Sequence, residues 1–385
     1  MLNQKTYTSV LTARGMAAIS SIALAGNDAG PIVDKVFRAG TGGLDTAPEG
    51  KISYGSIVDG QRVIDEVVVG CEGHNEFVIH CHGNPLLVEQ IVTLLQSHGA
   101  ELTDAERFAP CQSKNAIEAE ARLAMRKSAT LAGVKILQAQ IKGGLSQWAA
   151  QTLSSLESLD AEELHKQCRE ILHRGTVARR IIDGVRIVIA GPPNSGKSTL
   201  LNCLAGQEQV IVSDTAGTTR DWVSVSAHLG AGTLHAEFMD TAGLDEALAH
   251  TDSVEHAAQA MTRELLQSCD LVLYVQDGAE AGSPKSEVRI DIDRPVIAVT
   301  NKCDLVQGHK DAVTQEYKNI LISAKDNEGI DDLVQEILVR LNVDNFDITK
   351  PAAFTQRQRE LLSAMINTDQ SPKQILSEFL HSKDD

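Results

Sequence analysis

The segment Gly191-Pro192-Pro193-Asn194-Ser195-Gly196-Lys197-Ser198 has the spacing GxxxxGK[ST] and sits between an apolar run, Val185–Ala190, and a helical segment, Thr199–Ala205. Glycines at these positions let successive backbone N–H groups turn inward around phosphates, and the helix N-terminus adds partial positive charge. Lys197 reaches the β- and γ-phosphates, and the Ser198 hydroxyl can ligate Mg²⁺. Asp240-Thr241-Ala242-Gly243 follows the run His235–Met239. That order puts a carboxylate at a strand end, where it holds magnesium through water, and brings the Gly243 N–H to the γ-phosphate. Asn301-Lys302-Cys303-Asp304 follows Val296–Thr300. The Asp304 carboxylate accepts from guanine N1–H and the N2 amine, a pairing that adenine cannot offer. Ser323-Ala324-Lys325 follows Asn319–Ile322 and sets the Ala324 N–H against guanine O6. Each motif alone is weak. In this order, each after a strand, they imply a guanine-nucleotide-binding domain.

Hydrolysis needs an oriented water and neutralisation of developing charge. Leu244 occupies the position after the DxxG glycine, where many GTPases carry glutamine, and it can do neither. A second polar stretch, Ser213-Asp214-Thr215-Ala216-Gly217-Thr218-Thr219-Arg220-Asp221, is rich in oxygens. With Asn194 it could cage a monovalent cation where other GTPases use an arginine; the plainer alternative is a polar surface loop.

These residues need elements to position them. From Val185 onward strands alternate with helices, and continuous apolar runs such as Leu271–Asp277 read as buried parallel strands. Residues 184–345 are therefore expected to form a P-loop domain, a mostly parallel sheet with helices on both faces. Residues 1–112 mix strand-like runs (Val63–Val69, Phe77–His82) with a helix at Leu86–Gln96, which predicts a small α+β domain. Residues 113–183 lack proline and follow a helical period. One stripe runs Leu131, Val134, Leu137 or Gln138, Ile141, Leu145 and Trp148, and another runs Leu164, Cys168, Ile171 and Leu172. Residues 346–385 return to helix. The fold class is thus multi-domain α/β and α+β, with the P-loop domain inserted between two parts of a helical domain. Across 385 residues, 52 acidic against 35 basic side chains give a formal net charge of -17, which excludes a protein that coats nucleic acid non-specifically. Seven cysteines without a CxxC pair predict a reducing cytoplasm. No run is long and apolar enough to predict a membrane span or signal peptide.

The motif set resembles the MnmE/TrmE family of tRNA-modification GTPases, with its GxPNxGKS phosphate loop, DxAGTTRD switch and DTAGL followed by an acidic loop containing VE. Tyr54-Gly55-Ser56-Ile57, Ile64-Asp65-Glu66-Val67, Ile79-His80-Cys81-His82-Gly83 and Pro85 resemble the family's N-terminal domain. Gly144-Leu145-Ser146 and Phe354–Leu362 resemble its helical domain. The resemblance implies K⁺ ligated by Asn194 and Thr218 side chains and by the Ser213 and Thr215 carbonyls, and Mg²⁺ ligated by Ser198 and Thr219. It implies GTP contacts from residues 194–199 (Thr199 included), 213–219, 240–243, 301, 302, 304 and 323–325. It also implies a homodimer whose G domains meet face to face, a flavin-containing partner protein, tRNA wobble-uridine modification with indirect tRNA contact, and no membrane. The water-orienting glutamate falls on Glu255, with Asp252 as rival and a helix-start acid as the plain alternative.

Departures accompany the matches. The family's terminal Cys-(Ile/Leu/Val)-Gly-Lys has no counterpart in FLHSKDD, and the last cysteine is Cys303. Val78 stands where the family has a carboxylate, the family's FTxRAFxNGKxDL stretch is shortened to FAPCQSKNAI with Lys114 left as the stand-in for its basic residue, and Arg14 aligns only loosely. These departures put 5-formyl-tetrahydrofolate binding and unaided tRNA modification in doubt. They make a GTP-gated scaffold the second reading. An Era-type ribosome-assembly GTPase ranks third, because the last 35 residues are too few and too mixed in charge for its basic RNA-binding domain. His80-Cys81-His82 lacks further ligands at zinc-like spacing and reads as strand residues before a turn.

Overall fold

The computed structural model describes residues 5–12, 15–39, 48–73, 75–206, 224–240, 268–278, 294–305, 319–368 and 370–381. The chain divides into two compact units. The first comprises residues 1–126, 152–154 and 371–385, and the second residues 127–151 and 155–370.

The first unit opens with β1 (Tyr7–Val10), β2 (Ile19–Ala25), α1 (Ala29–Val36), β3 (Phe37–Ala39), β4 (Ile52–Asp59), β5 (Arg62–Gly73) and β6 (Glu76–His82). It continues with α2 (Pro85–Ser97), β7 (Glu101–Leu102), α3 (Ala105–Phe108) and α4 (Ala116–Met125). The strands form one sheet in the order β3-β4-β5-β6-β2-β1-β7, antiparallel except where β1 meets β7. Alternation along β6 sends Phe77, Ile79 and Cys81 into a core with Ile32 and Val33 of α1 and Ile91 and Leu95 of α2. Val78 points the other way, into a smaller cluster with Ala23, Ala25 and Phe108. The expected helix at Leu86–Gln96 begins one residue earlier. Asn84 caps it by accepting from Leu86 N at 2.9 Å, and Pro85 occupies the first turn.

The second unit carries α5 (Leu131–Lys142), α6 (Gly144–Ser155), α7 (Ala161–Asp183), β8 (Val185–Ala190), α8 (Lys197–Gly206), β9 (Ser224–Leu229) and β10 (Leu234–Asp240). After these come β11 (Leu271–Asp277), β12 (Val296–Asn301), β13 (Asn319–Leu321), α9 (Ile330–Arg340) and α10 (Gln356–Asn367). The sheet order is β13-β12-β11-β8-β10-β9, parallel throughout except for the edge strand β9. A last helix, α11 (Pro372–Leu380), belongs to the first unit, as does α4. The helical period alone grouped both with the intervening helical domain.

The α5 stripe is rotated from its expected phase. Leu131 is 68% exposed, and the buried face is Gly133, Ile136, Leu137 and Gln140. Gln140 is completely buried because its amide is fully used. Its Nε2 donates to the Ile348 and Lys350 carbonyls at 3.1 and 3.2 Å, and its Oε1 accepts from Leu145 N and Ala352 N at 3.0 Å each. The chain returning from the sheet is thereby bound to α5. Arg174 of α7 adds donors to the Asp347 and Pro351 carbonyls and lies over the Phe346 ring, and Arg180 donates to the Leu341 carbonyl at 2.8 Å.

Candidate functional site

The phosphate loop follows β8 directly and runs into α8. Gly191 has φ 147, and a Cβ there would strike the Val275 carbonyl, so only glycine passes β11 at that point. Gly196 has φ 91, and a Cβ there would meet the Asn301 amide. That close approach is functional, because Asn301 ties three motifs together. Its Nδ2 donates to the Ser195 carbonyl at 3.0 Å, and its Oδ1 accepts from Ala324 N at 3.0 Å. Phosphate loop, base-recognition strand and the Ser323-Ala324-Lys325 segment thus meet on one buried amide.

Lys197 is buried, with Nζ 2.8 and 3.0 Å from the Gly191 and Pro192 carbonyls. The ammonium is therefore held inside the loop that a polyphosphate would line. The Ser198 hydroxyl donates to Asp240 Oδ2 at 2.8 Å. A neutral oxygen and a carboxylate side by side, one exposed and the other buried at a strand end, suit a hard divalent cation such as Mg²⁺. Asn194 and Thr199 are exposed on the same loop and helix start.

Lys302 stands at φ 62 and joins two places at once. Its Nζ donates to the Asn194 carbonyl and to Asp277 Oδ2, both at 2.7 Å. Sequence reasoning missed Asp277. The available signal was its position at the end of the apolar run Leu271–Asp277, like Asp240 at the end of β10. Asp304 is exposed, and its Oδ1 lies 2.9 Å from the Ser323 hydroxyl, which also lies 2.9 Å from Asp326 Oδ2. The buried serine thereby fixes the plane of the base-recognising carboxylate. Lys325 is exposed beside it. The Ala324 N–H, expected at guanine O6, is donated to Asn301 Oδ1 in this structure, so a base must share or replace that bond. Ser195 Oγ, fully buried, has no hydrogen-bond partner among the described residues. Because that hydroxyl is shut off from solvent, the Ser195 backbone is what remains for a nucleotide.

Ser213, Asp214, Thr215, Ala216, Gly217, Thr218, Thr219, Thr241, Ala242, Gly243, Leu244, Asp252 and Glu255 lie outside the described residues, as does Arg14. In the first unit, His80 Nδ1 is 2.9 Å from Ser21 Oγ and His82 Nδ1 is 2.7 Å from Asp65 Oδ1. Both rings are thus engaged within the sheet, and no group of three or more metal-ligating side chains occurs among the described residues. Burial pushes the Cys81 thiol up to about 11 and the Cys168 thiol up to about 12, so both stay protonated and inert at neutral pH.

Residues 186–302 match the family model described as a 50S ribosome-binding GTPase. A tRNA modification GTPase MnmE of Flavobacterium johnsoniae is 32% identical over 89% of this chain and 83% of its own length. The chain belongs to the MnmE family of tRNA modification GTPases. A tRNA modification GTPase MnmE of Cytophaga hutchinsonii is 30% identical over 93% of this chain and 85% of its own length. Among solved structures, the GDP·AlF4⁻ complex of Aquifex aeolicus Era is 27% identical over 47% of this chain and 64% of its own, with a TM-score of 0.32. As an MnmE-family protein whose residues 186–302 match a GTPase domain, the chain is a GTP hydrolase that uses Mg²⁺. No described helix is long and apolar enough to cross a membrane.

Proposed function

We propose that this GTPase is activated by K⁺ when two G domains associate face to face, and that its cycle serves modification of the tRNA wobble uridine together with a flavin-containing partner. The observation carrying this reading is Asn194. It is exposed on the phosphate loop, held in a left-handed conformation (φ 61), and its carbonyl is fastened by Lys302. Family membership adds the remaining ligand positions, Ser213, Thr215 and Thr218 for potassium and Thr219 beside Ser198 for magnesium. A monovalent cation supplies positive charge next to the phosphates, the service an arginine finger performs elsewhere. This chain's own residues bind and orient: Lys197 and the loop amides hold the phosphates, Asp304 selects guanine, and Glu255 orients water. The buried cysteines, none of them in a disulfide among the described residues, suit a reducing cytoplasm.

Single-turnover GTP hydrolysis in K⁺ and in Na⁺ at equal ionic strength tests the reading. Rates at least tenfold faster in K⁺ are expected, and equal rates overturn it. Glu255→Ala should stop turnover with GTP affinity intact; an active variant reassigns the role to Asp252. The second reading, a GTP-gated scaffold without folate chemistry, is favoured by Val78, which is packed against Phe108 where the family carries a carboxylate. Micromolar binding of 5-formyl-tetrahydrofolate in calorimetry would refute that scaffold.

A further inference from the structure

Two residues of the nucleotide site hold backbone conformations that side chains disfavour, Asn194 at φ 61 and Lys302 at φ 62. One ammonium joins them, with Lys302 Nζ reaching the Asn194 carbonyl and Asp277 Oδ2 at 2.7 Å each. Lysine is a point charge on a flexible stem, and a bond to one carbonyl leaves it free to swing into water. The carboxylate supplies the second anchor. The pair is partly shielded from solvent, with side-chain exposures of 33% for Lys302 and 21% for Asp277, so it is screened less than a surface pair. Asp277 itself stands on a fixed platform. It ends β11 in register with Asn301 of β12, and the next amide, Gly278 N, donates to the Asn301 carbonyl at 2.8 Å. The same Asn301 carries the buried amide that joins Ser195 to Ala324.

We propose that Asp277 is a positioning residue of the nucleotide site: acting through Lys302, it sets the Asn194 peptide of the phosphate loop in the conformation that receives the nucleotide. The chain of contacts runs from carboxylate to ammonium to carbonyl, with no nucleotide atom required at Asp277. The proposal does not depend on potassium activation.

The test is the affinity of the full chain for a fluorescent GDP analogue with Mg²⁺, measured in potassium and in sodium alike, so that failure of the potassium reading leaves it intact. Asp277→Asn is expected to weaken binding about tenfold, the order of effect of one charged hydrogen bond. Asp277→Glu keeps the charge and is expected to stay within threefold of the parent. In a Lys302→Met background, Asp277→Asn is expected to change affinity less than twofold, because the residue through which it acts is gone. The proposal is overturned if Asp277→Asn binds within twofold of the parent. It is also overturned if the tenfold loss persists in the Lys302→Met background, since a merely structural role for Asp277 would survive there. Should Asp277→Asn fail to fold, Asp277→Glu decides: near-parental affinity supports the proposal and a tenfold loss overturns it.

Discussion

Replacing Gln140 by methionine keeps the volume of the side chain and removes every hydrogen bond it makes. Four backbone groups lose a partner: the Ile348 and Lys350 carbonyls and the Leu145 and Ala352 amides. The two carbonyls lie on a partly exposed segment and can turn to water. The two amides cannot, because Leu145 and Ala352 are completely buried. Each stranded buried donor costs about 1–3 kcal/mol, so the substitution should destabilise the second unit by about 4 kcal/mol. For a body of this size, that corresponds to a fall of about 10 °C in the unfolding midpoint. The assay is thermal unfolding followed by fluorescence in a Trp222→Phe background, where Trp148 on α6, bonded to Gln167 at 2.9 Å, is the remaining tryptophan. A shift smaller than about 2 °C would refute the view that Gln140 binds the returning chain to the helices.

Ser195→Ala removes a buried hydroxyl that has no partner among the described residues; it should leave stability unchanged or raise it by about 1 kcal/mol, with GDP affinity unaltered in the same titration. Asp304→Asn exchanges an acceptor of two base N–H groups for an amide. GDP affinity should fall about 100-fold or more, and xanthosine diphosphate, with an oxygen in place of the N2 amine, should become the better ligand in competition. His235 is held below its ordinary pKa by burial and by His228, whose ring lies 5.2 Å away, while Glu237 acts in the opposite direction. The unfolded chain therefore takes up a proton that the folded one refuses. Stability from this site is complete above about pH 6.5 and is lost as pH falls towards the depressed folded value, so denaturant melts at pH 7.5 and 5.5 should differ less in His235→Gln.

The parallel strands were legible at their ends because buried strands are written as unbroken apolar runs; Val185–Ala190 and Leu271–Asp277 appear at the bounds read from sequence. The strand expected at Val63–Val69 extends from Arg62 to Gly73, since pairing with β4 and β6 on either side carries it past its apolar centre. The phase of α5 was not legible. A glutamine enters the core only when partners satisfy it, and three of the four partners of Gln140 lie about two hundred residues away. The helices α4 and α11 show an ordinary amphipathic period, which says that a face is buried but not against which sheet. At the site, motif chemistry is local and reads directly, whereas the Asp277–Lys302 pair joins the ends of two strands that only the folded register brings together.

Arg180, near the end of the helix that leads into the nucleotide domain, holds the Leu341 carbonyl, near the point where the chain leaves it. Entry and exit are therefore one arginine side chain apart. A domain joined in this way can be cut out and closed with a few residues, or exchanged for another of the same footprint, without parting α5, α7 and α10 from one another. Any rearrangement of the nucleotide domain that moves one connection must also pull on the other, so it reaches the helices as a torque on a paired attachment rather than as the swing of a single tether.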